Sequence, residues 1–450
     1  MKKRFRVFSA LCCLLLAVSA LSGCGGGGAG ESSSAGNAST GKDYGDRPLV
    51  SGSEEVDPAK IGFEKRELEN PNVKLFLPYE PTDAAKGQIA KYEEKYGGKV
   101  DVITCSWDVR ITRLAQMIQS GDSPDVVSVV YSDMPTFAVK SLLDPIDGLT
   151  DLENTVYHQE SNNGIYSLNG KHYALTTFSA PYAIFFNRTM FKKAAVTPPD
   201  ELYKEGNWNW ETFRQTALDM SEDTDSDGVN DIYGFATWRD DIFLTANGTD
   251  LIKMEDGYPL LNVTDSKVAK GLQLFQDMFY TDHSIQKEHW EWYEGFRDRK
   301  VAMVFEGADW QISRLQAEGF SDEIGIVPFP AGPDAGEQIN YVANTGFGLA
   351  KDTANPQGGA AFIEEFLTAG YQNVIAGSAM KHLDDEQFGM IKSMLGQKSV
   401  ISLTTAYGDF STKFFGITDE LRDGKPVGTT LERYAPELQA EIDKVLNAAG

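Results

Sequence analysis

An acidic loop is the densest group of possible metal ligands in the sequence. Residues 223–231 place aspartates at alternate positions before a glycine, and such a loop can curl around one hard cation. Closely spaced carboxylates repel each other unless a cation neutralises them. The pattern predicts a structural Ca²⁺ site, with a solvated acidic turn as the alternative. The expected ligands are the side chains of Asp223, Asp225, Asp227 and Asp231 and the main-chain carbonyl of Val229.

The acidic loop departs from a complete EF-hand at its end. Gly234 stands at the twelfth position, where an EF-hand places a bidentate glutamate. Any missing ligand must therefore be water or come from another segment. We expect the Ca²⁺ site to lie away from a ligand cleft and to stabilise the fold.

Motifs for catalysis are absent from the sequence. The five histidines form neither HExxH nor another zinc spacing, and there is no GxxxxGK[ST], no GxGxxG after a strand and no GxSxG. The 66 acidic residues could supply the two carboxylates of a glycosidase, but no pair stands out. An enzyme is therefore not expected, and a glycoside hydrolase is the alternative.

Aromatic residues near the ends of predicted strands are the remaining signal for a ligand site. Ligands of open α/β sheets bind outside the carboxyl ends of the strands. A flat ring can stack on the C–H face of a sugar while nearby Asp, Asn and Glu side chains bind its hydroxyls. Ordinary core packing is the alternative for each ring. The residues are Trp107, Tyr131, Tyr182, Trp238, Trp290, Trp292, Tyr293, Trp310 and Tyr407.

The N-terminus has the pattern of a lipoprotein signal peptide. A basic head (residues 2–6) precedes an apolar run that is too short to favour a membrane-spanning helix. Leu21-Ser22-Gly23-Cys24 resembles a bacterial lipobox, which predicts cleavage after residue 23 and acylation, with palmitate, of Cys24. The alternative is a plain signal peptide with an incidental cysteine. Residues 24–45 are rich in Gly, Ser and Ala and predict a flexible tether.

Composition narrows the class of protein. The 450 residues are enough for one large or two medium domains, and 41% hydrophobic residues suffice for a full core. A net charge of -25 argues against nucleic acid and against adsorption to anionic lipid. No later apolar run is long enough to span a bilayer, so the lipid is the expected membrane anchor. We expect a monomer on the extracytoplasmic face of a bacterial cell membrane.

Strand and helix signals alternate after an irregular lead-in at residues 46–71. Short apolar runs predict strands at Val73–Leu77, Val100–Thr104 and 125–130, and the last run is apolar enough to be buried on both faces. Helices are expected at 84–96, where Gly97 follows, and at 111–118, where Gly121 follows. This alternation predicts a parallel sheet with crossover helices.

Several stretches in this order resemble the family 1 extracellular solute-binding proteins, the carbohydrate-binding receptors of ABC importers. Three motifs of the family resemble the stretches SGDSPDV, SLLDPID and GKHYAL. Three more resemble NWETF, GFGLA, and VAM followed by Gly307 and Trp310. Phe185-Phe186 replaces a usual Tyr-Tyr, and Ile232 stands where some calcium-loop members have Glu. The matching stretches lie at 118–126, 141–147, 170–175, 185–191, 209–213, 301–310 and 346–363.

The resemblance implies an α/β, two-lobed, periplasmic-binding-protein-like fold of the class II type, in which hinge strands join discontinuous lobes around a cleft. One lobe is expected at 72–177 plus 346–395, and the other at 180–343 plus 396–450. Sugar binding would close the lobes, and the closed form would dock on the permease. A ligand can shift this equilibrium only by its differential affinity for the two states.

The resemblance also implies ligand-binding residues by position. Trp310 matches the cleft tryptophan of the family, and the other candidates follow strands or lie where a late segment returns to the cleft. These candidates are Tyr79 and Glu80, Trp107 and Asp108, Tyr131 and Asp133, Trp238 and Arg239, and Tyr407 and Asp409.

The expected function is a lipid-anchored receptor that captures a mono- or oligosaccharide and delivers it to the permease subunits of an ABC transporter. A binding protein for a non-sugar solute is a second alternative, because an acidic cleft also suits cations and fold does not settle ligand class.

Overall fold

The structure is a computed structural model that describes residues 61–168, 170–177, 181–255, 258–288, 291–343, 345–375, 382–395, 397–404 and 410–447. The signal peptide, Cys24 and the tether lie outside the described residues. Tyr407 and Asp409 also lie outside them, and so does the side chain of Trp310.

Short strands and helices alternate along the described chain. The strands, numbered in chain order, are β1 (Val73–Leu77), β2 (Val100–Thr104), β3 (Val126–Val130), β4 (Leu143–Asp144), β5 (Ser167–Leu168), β6 (Lys171–His172), β7 (Tyr182–Asn187), β8 (Tyr233–Ala236), β9 (Ile252–Glu255), β10 (Tyr258–Leu261), β11 (Val301–Gly307), β12 (Ile324–Val327), β13 (Ile339–Tyr341), β14 (Thr345–Ala350) and β15 (Lys398–Val400).

The helices are numbered in the same way. They are α1 (Asp83–Tyr96), α2 (Arg110–Gln119), α3 (Met134–Val139), α4 (Gln159–Asn163), α5 (Arg188–Ala194), α6 (Pro199–Lys204), α7 (Trp210–Asp219), α8 (Ile242–Thr245), α9 (Ser266–Gln276), α10 (Trp292–Arg297), α11 (Ala308–Ala317), α12 (Pro356–Ile375), α13 (Asp385–Leu395), α14 (Phe410–Arg422) and α15 (Val427–Asn447).

The first sheet has the strand order β2-β1-β3-β14-β4. Strand β1 is parallel to β2 and β3, and β14 returns antiparallel beside β3. Every residue of β3 is buried, as the continuous apolar run predicted. Gly97 ends α1 with a φ of 74°, a conformation that glycine adopts without a steric penalty. The predicted strands and helices of this region are therefore confirmed.

The second sheet has the order β12-β7-β11-β8, in which β11 is antiparallel to β7 and parallel to β8. Alternate residues of β7 face opposite layers: Phe185 packs with a cluster that includes α10 and α11 residues, and Phe186 packs with the large central core. The confirmed α/β fold class thus rests on two sheets that are each covered on both faces.

The chain passes between the sheets where short segments link them. Leu175 bridges to Phe347 beside the first sheet, whereas β7 already belongs to the second. Strand β13 lies with β15, and β14 returns to the first sheet. Helix α12 packs against α1.

Helix α13 differs from the expectation that 346–395 forms part of one lobe. Its side chains Phe388, Ile391 and Met394 bury against β7, β11 and β12 residues, so the segment belongs with the second sheet. The apolar face of α13 finds its partner through tertiary packing, which the local sequence pattern does not encode.

The C-terminal helices join the two halves. Helix α14 packs against α15. Helix α15 contacts α9 and β10, and it also contacts α3, which follows strand β3 of the first sheet. Within the described ranges, no helix combines the length and apolar character needed to cross a bilayer.

Candidate functional site

The carboxyl ends of the parallel strands carry most of the predicted ligand residues. Trp107 follows β2, Tyr131 and Asp133 follow β3, and Trp238 and Arg239 follow β8. Loops at this edge of a sheet can hold large side chains without disturbing the strand ladder.

A first cluster, here the Trp107 stack, consists of Trp107, Arg110 and Asp133. Arg110 Nε and Nη2 donate to the two carboxylate oxygens of Asp133, both at 2.6 Å. The guanidinium carbon of Arg110 lies 4.0 Å from the centre of the Trp107 ring. Since Asp133 is 5% exposed and its bidentate ion pair fixes the guanidinium, Arg110 supports one face of a partly exposed indole.

A second cluster, here the Trp238 stack, consists of Trp238, Arg239 and Glu306. The guanidinium carbon of Arg239 lies 3.9 Å from the centre of the Trp238 ring. The indole Nε1 of Trp238 donates to Glu306 Oε2, and the main-chain N–H of Gly307 donates to Glu306 Oε1 at 2.9 Å. The indole is therefore held on its face and at its edge, and it remains partly exposed.

Two tyrosine rings complete the surroundings of Arg239. The guanidinium carbon lies 5.6 Å from the ring centre of Tyr182 and 5.1 Å from that of Tyr341. Arg239 is only 4% exposed, and among the described residues its Nε has no hydrogen-bond partner. Cation–π contact with three rings offsets part of the cost of burying this charge.

A hydrogen bond joins the two clusters. Arg239 Nη2 donates to the hydroxyl of Tyr131 at 3.2 Å, and Tyr131 lies two residues before Asp133. Tyr131 follows a strand of the first sheet and Arg239 follows a strand of the second. The structure thus brings Trp107, Tyr131, Asp133, Trp238 and Arg239 into one continuous group.

Burial shifts the titration of groups around the Trp238 stack. Desolvation raises the pKa of Glu306, while the N–H of Gly307 and the charge of Arg239 oppose this shift. Burial also raises the pKa of Tyr182 and of Tyr341. The tyrosines therefore remain neutral donors at neutral pH.

Asp250 anchors the segment that leads to the predicted residues Tyr407 and Asp409. Its carboxylate accepts the main-chain N–H of Leu403 at 2.7 Å and the hydroxyl of Thr404. Burial raises the pKa of Asp250 to about 6.

The other predicted ligand residues are not joined to the group by described contacts. Tyr79 packs against the core beside the first sheet, and burial raises its pKa. Glu80 is exposed and accepts the hydroxyl of Thr104 at 2.9 Å. Asp108 is exposed in the turn after β2. The main chain of Trp310 lies in the first turn of α11, directly after β11.

Arg110, Glu306 and Tyr341 were not among the residues predicted from the sequence, whereas Tyr182 was one of the aromatic candidates. Glu306 carried a usable signal, since it is the one charged residue in the apolar run of β11. A charge in a buried strand needs compensating partners and is a reason to suspect a site. Arg110 carried no comparable signal, because its pairing with Asp133 exists only in the folded chain.

The acidic loop brings three of its predicted ligands together. Carboxylate oxygens of Asp223, Asp225 and Asp227 lie within 4.8 Å of one another. Oxygens on opposite sides of a Ca²⁺ ion lie about 5 Å apart, so this spacing fits one ion. Positive φ angles at Ser226 (64°) and Gly228 (90°) curl the main chain around the group.

Asp231 does not turn towards this group in the structure. Its carboxylate accepts the N–H of Thr224 at 2.9 Å and the Thr224 hydroxyl, and these bonds lower its pKa. Val229 donates its N–H to Asp227 at 2.8 Å. The acidic loop comes directly before β8, and Trp238 comes directly after β8. The acidic loop and the Trp238 stack therefore lie at opposite ends of that strand.

Comparison with known proteins identifies relatives of the chain. Residues 80–373 match the family described as bacterial extracellular solute-binding protein. A putative binding protein of Brucella abortus is 22% identical over 236 residues, which cover 50% of this chain and 54% of the relative. The chain therefore spans about half the length of the curated relatives it matches.

Solved structures share the fold. The extracellular solute-binding protein of Staphylococcus aureus in complex with maltose has a TM-score of 0.63 at 14% identity, covering 85% of this chain and 99% of that one. UgpB of Mycobacterium tuberculosis in complex with glycerophosphocholine has a TM-score of 0.62 at 14% identity, covering 83% and 98%. These similarities show a two-lobed, periplasmic-binding-protein-like fold.

Proposed function

The chain belongs to the bacterial extracellular solute-binding proteins, and we propose that it captures a mono- or oligosaccharide between its lobes for delivery to an ABC permease. The observation that carries this proposal is the pair of tryptophan stacks, one beside each sheet, joined by the Tyr131–Arg239 hydrogen bond. Two partly exposed indoles at the strand ends provide flat surfaces for sugar rings.

The charges of the group favour a neutral ligand. Arg110 is paired with Asp133, and the charge of Arg239 is opposed by Glu306 and Asp241. Because these charges balance largely among themselves, the ligand need not neutralise them. Hydroxyl groups can bind to the remaining hydrogen-bonding capacity of the carboxylates and guanidinium groups.

The same contacts disfavour a glycosidase. Each carboxylate of a glycosidase must reach the scissile bond as an acid, a base or a nucleophile. Asp133 is held by the bidentate bond to Arg110, and both oxygens of Glu306 already accept N–H groups. Within the described part of the group, no pair of carboxylates is left for that chemistry.

Outside the described residues, the proposal includes lipid attachment at Cys24 and a monomer on the extracytoplasmic face of the membrane. The lipobox-like residues and the polar tether support this placement. Substituting Cys24→Ser should abolish the incorporation of labelled palmitate into the protein. Equal labelling of this variant and the wild-type chain would contradict the lipid anchor.

The proposal also includes a structural Ca²⁺ ion in the acidic loop. Asp223, Asp225 and Asp227 would hold it, and the cation would relieve the repulsion between their carboxylates. Calcium should raise the melting temperature relative to chelator, and Asp225→Asn should reduce this effect. Equal melting temperatures in chelator and in millimolar Ca²⁺ would contradict the site.

Thermal unfolding against a panel of mono- and oligosaccharides tests the proposed function. A ligand that binds only the folded state adds RT ln(1 + [L]/Kd) to the free energy of unfolding, about 2.7 kcal/mol at a hundred times Kd. We expect one class of sugar to give such a shift. A shift with glycerophosphodiesters or cationic solutes instead would assign the cleft to a non-sugar solute.

A further inference from the structure

Strand β11 contains a carboxylate where an apolar side chain would pack at less cost. All seven residues of Val301–Gly307 are buried, and Glu306 is 2% exposed. An isolated carboxylate at such a position loses far more solvation than a Leu or Phe side chain would. The surroundings of Glu306 must therefore compensate it.

The compensation comes from groups of the ligand site. Gly307 N–H satisfies Oε1 and the Trp238 indole N–H satisfies Oε2. The Tyr182 hydroxyl and the charge of Arg239 also act on the carboxylate. Glu306 is thus tied to the aromatic residues around Arg239 rather than to the helices that cover the sheet.

The contact with Glu306 restrains the orientation of the Trp238 ring. Arg239 covers one face of the indole at 3.9 Å, and the ring also packs against the cluster beside the second sheet, but such contacts are weakly directional. The bond from Nε1 to Glu306 adds a defined direction, because a hydrogen bond to an ionised acceptor is directional and about twice as strong as a neutral one.

We propose that Glu306 is a positioning residue for ligand capture, which holds Trp238 in the orientation that meets the ligand and does not itself touch that ligand. The inference rests on the proposed function, since it concerns the same site. A ring held in place before binding loses less rotational freedom when the ligand arrives, which increases affinity.

The substitution Glu306→Gln tests this role with little change in shape. Glutamine offers one acceptor oxygen to two N–H donors, and its amide N–H₂ would face the other donor. We expect the affinity for the sugar identified by the melting panel to fall roughly tenfold, the size expected for loss of one charge-assisted hydrogen bond. Isothermal titration of the purified chain measures this change.

Matched variants separate positioning from other roles. Trp238→Phe removes the indole N–H but retains a ring, and the double variant E306Q/W238F closes a thermodynamic cycle. If Glu306 acts through Trp238, E306Q should weaken binding no further in the W238F background. A full additional loss in that background would mean that Glu306 acts on binding other than through Trp238, and it would overturn the positioning role.

An indole resonance provides a direct readout. The Trp238 Nε1–H signal, assigned by its loss in W238F, should shift upfield in E306Q because a neutral amide replaces the charged acceptor, while the indole signals of Trp208 and Trp210 stay unchanged. Those two indoles donate to the carbonyls of Pro328 and Pro330 and serve as internal controls. An unshifted Trp238 signal would contradict the proposal.

If E306Q does not fold, Glu306→Asp replaces it. Aspartate keeps the charge beside Arg239 but withdraws the oxygens by one methylene, so the same tenfold loss and upfield shift are expected. Wild-type binding by either folded variant overturns the inference while leaving the proposed function intact. A wild-type chain that binds no sugar overturns the proposed function instead.

Discussion

The two tryptophan stacks place an arginine on an indole in different ways. In the Trp107 stack, a bidentate carboxylate fixes Arg110. In the Trp238 stack, Arg239 lies among three aromatic rings and the carboxylate instead holds the edge of the indole. The first stack therefore depends on one ion pair, whereas the second depends on packing around a buried charge.

Similar surfaces can therefore have different weak points. Removing the acid partner of a buried ion pair strands the opposite charge, which costs much more than losing an exposed pair. When several rings stabilise a buried charge, no single partner contributes as much to its stability as the carboxylate of an ion pair does. The Trp107 stack should therefore be more sensitive to one substitution than the Trp238 stack.

The largest effect is expected for Asp133→Asn. The substitution leaves Arg110 without its carboxylate in a site where the two side chains are 15% and 7% exposed. The free energy of unfolding should fall by about 3 kcal/mol, measured by urea denaturation. Asp108→Asn is the matched control in the turn that carries Trp107, and its exposed carboxylate should change stability by less than about 0.5 kcal/mol. Equal, small effects of the two variants would remove the difference between the stacks.

The second expected effect is a pH dependence of the free energy of unfolding, and it comes from Asp250. The pKa of Asp250 is about 6 in the folded chain, whereas the ordinary value for an aspartate, taken for the unfolded chain, is 3.8. At a pH between these two values, the folded state therefore holds a proton that the unfolded state has released. Stability from this group is therefore gained as the pH falls from 7 to 4.5 and is lost as the pH rises again.

Asp250→Asn should abolish this contribution. Relative to that variant, the wild-type chain should gain on the order of 2 kcal/mol in free energy of unfolding between pH 7 and pH 4.5. Among the described residues, the polar side chains that act on the Asp250 carboxylate are those of Asp241, Ser402 and Thr404, and they remain in both proteins. Parallel stability curves for the two proteins would show that Asp250 does not titrate in this range.

The smallest effect is expected for Tyr131→Phe, which removes the hydrogen bond between the stacks and leaves both rings in place. The free energy of unfolding should fall by about 1 kcal/mol. Small-angle scattering of the sugar-free chain should also show a larger radius of gyration, since one contact between the lobes is lost. An unchanged radius and stability would mean that the Tyr131–Arg239 bond does not hold the lobes together.

The sequence predicted those parts of the fold that are encoded locally. A short apolar run marked β1, a continuous apolar run marked β3, and glycine marked the end of α1, because burial and a left-handed residue leave direct traces in the chain. The packing of α13 left no such trace. Its apolar face would suit either sheet, and tertiary contacts selected the second.

The candidate site was predictable to a similar degree. Positions after the parallel strands led to Trp107, Tyr131 and Trp238, because the strand-end rule concerns chain order alone. It could not distinguish these residues from Tyr79, which follows β1 but has no described contact with the group. Arg110 could not be identified, since its role depends on the distance to Asp133 in the folded chain. Whether these residues bind the ligand stays a prediction.

The central claim is that one ligand contacts both stacks. It is tested by calorimetric titration of the oligosaccharide that the wild-type chain binds. The titration is repeated with Trp107→Ala, Trp238→Ala and the double variant. Each single substitution should weaken binding at least tenfold while the protein stays folded, and the double variant should bind below detection. Wild-type affinity in either folded single variant would contradict the claim, because the ligand would then lie on one stack alone.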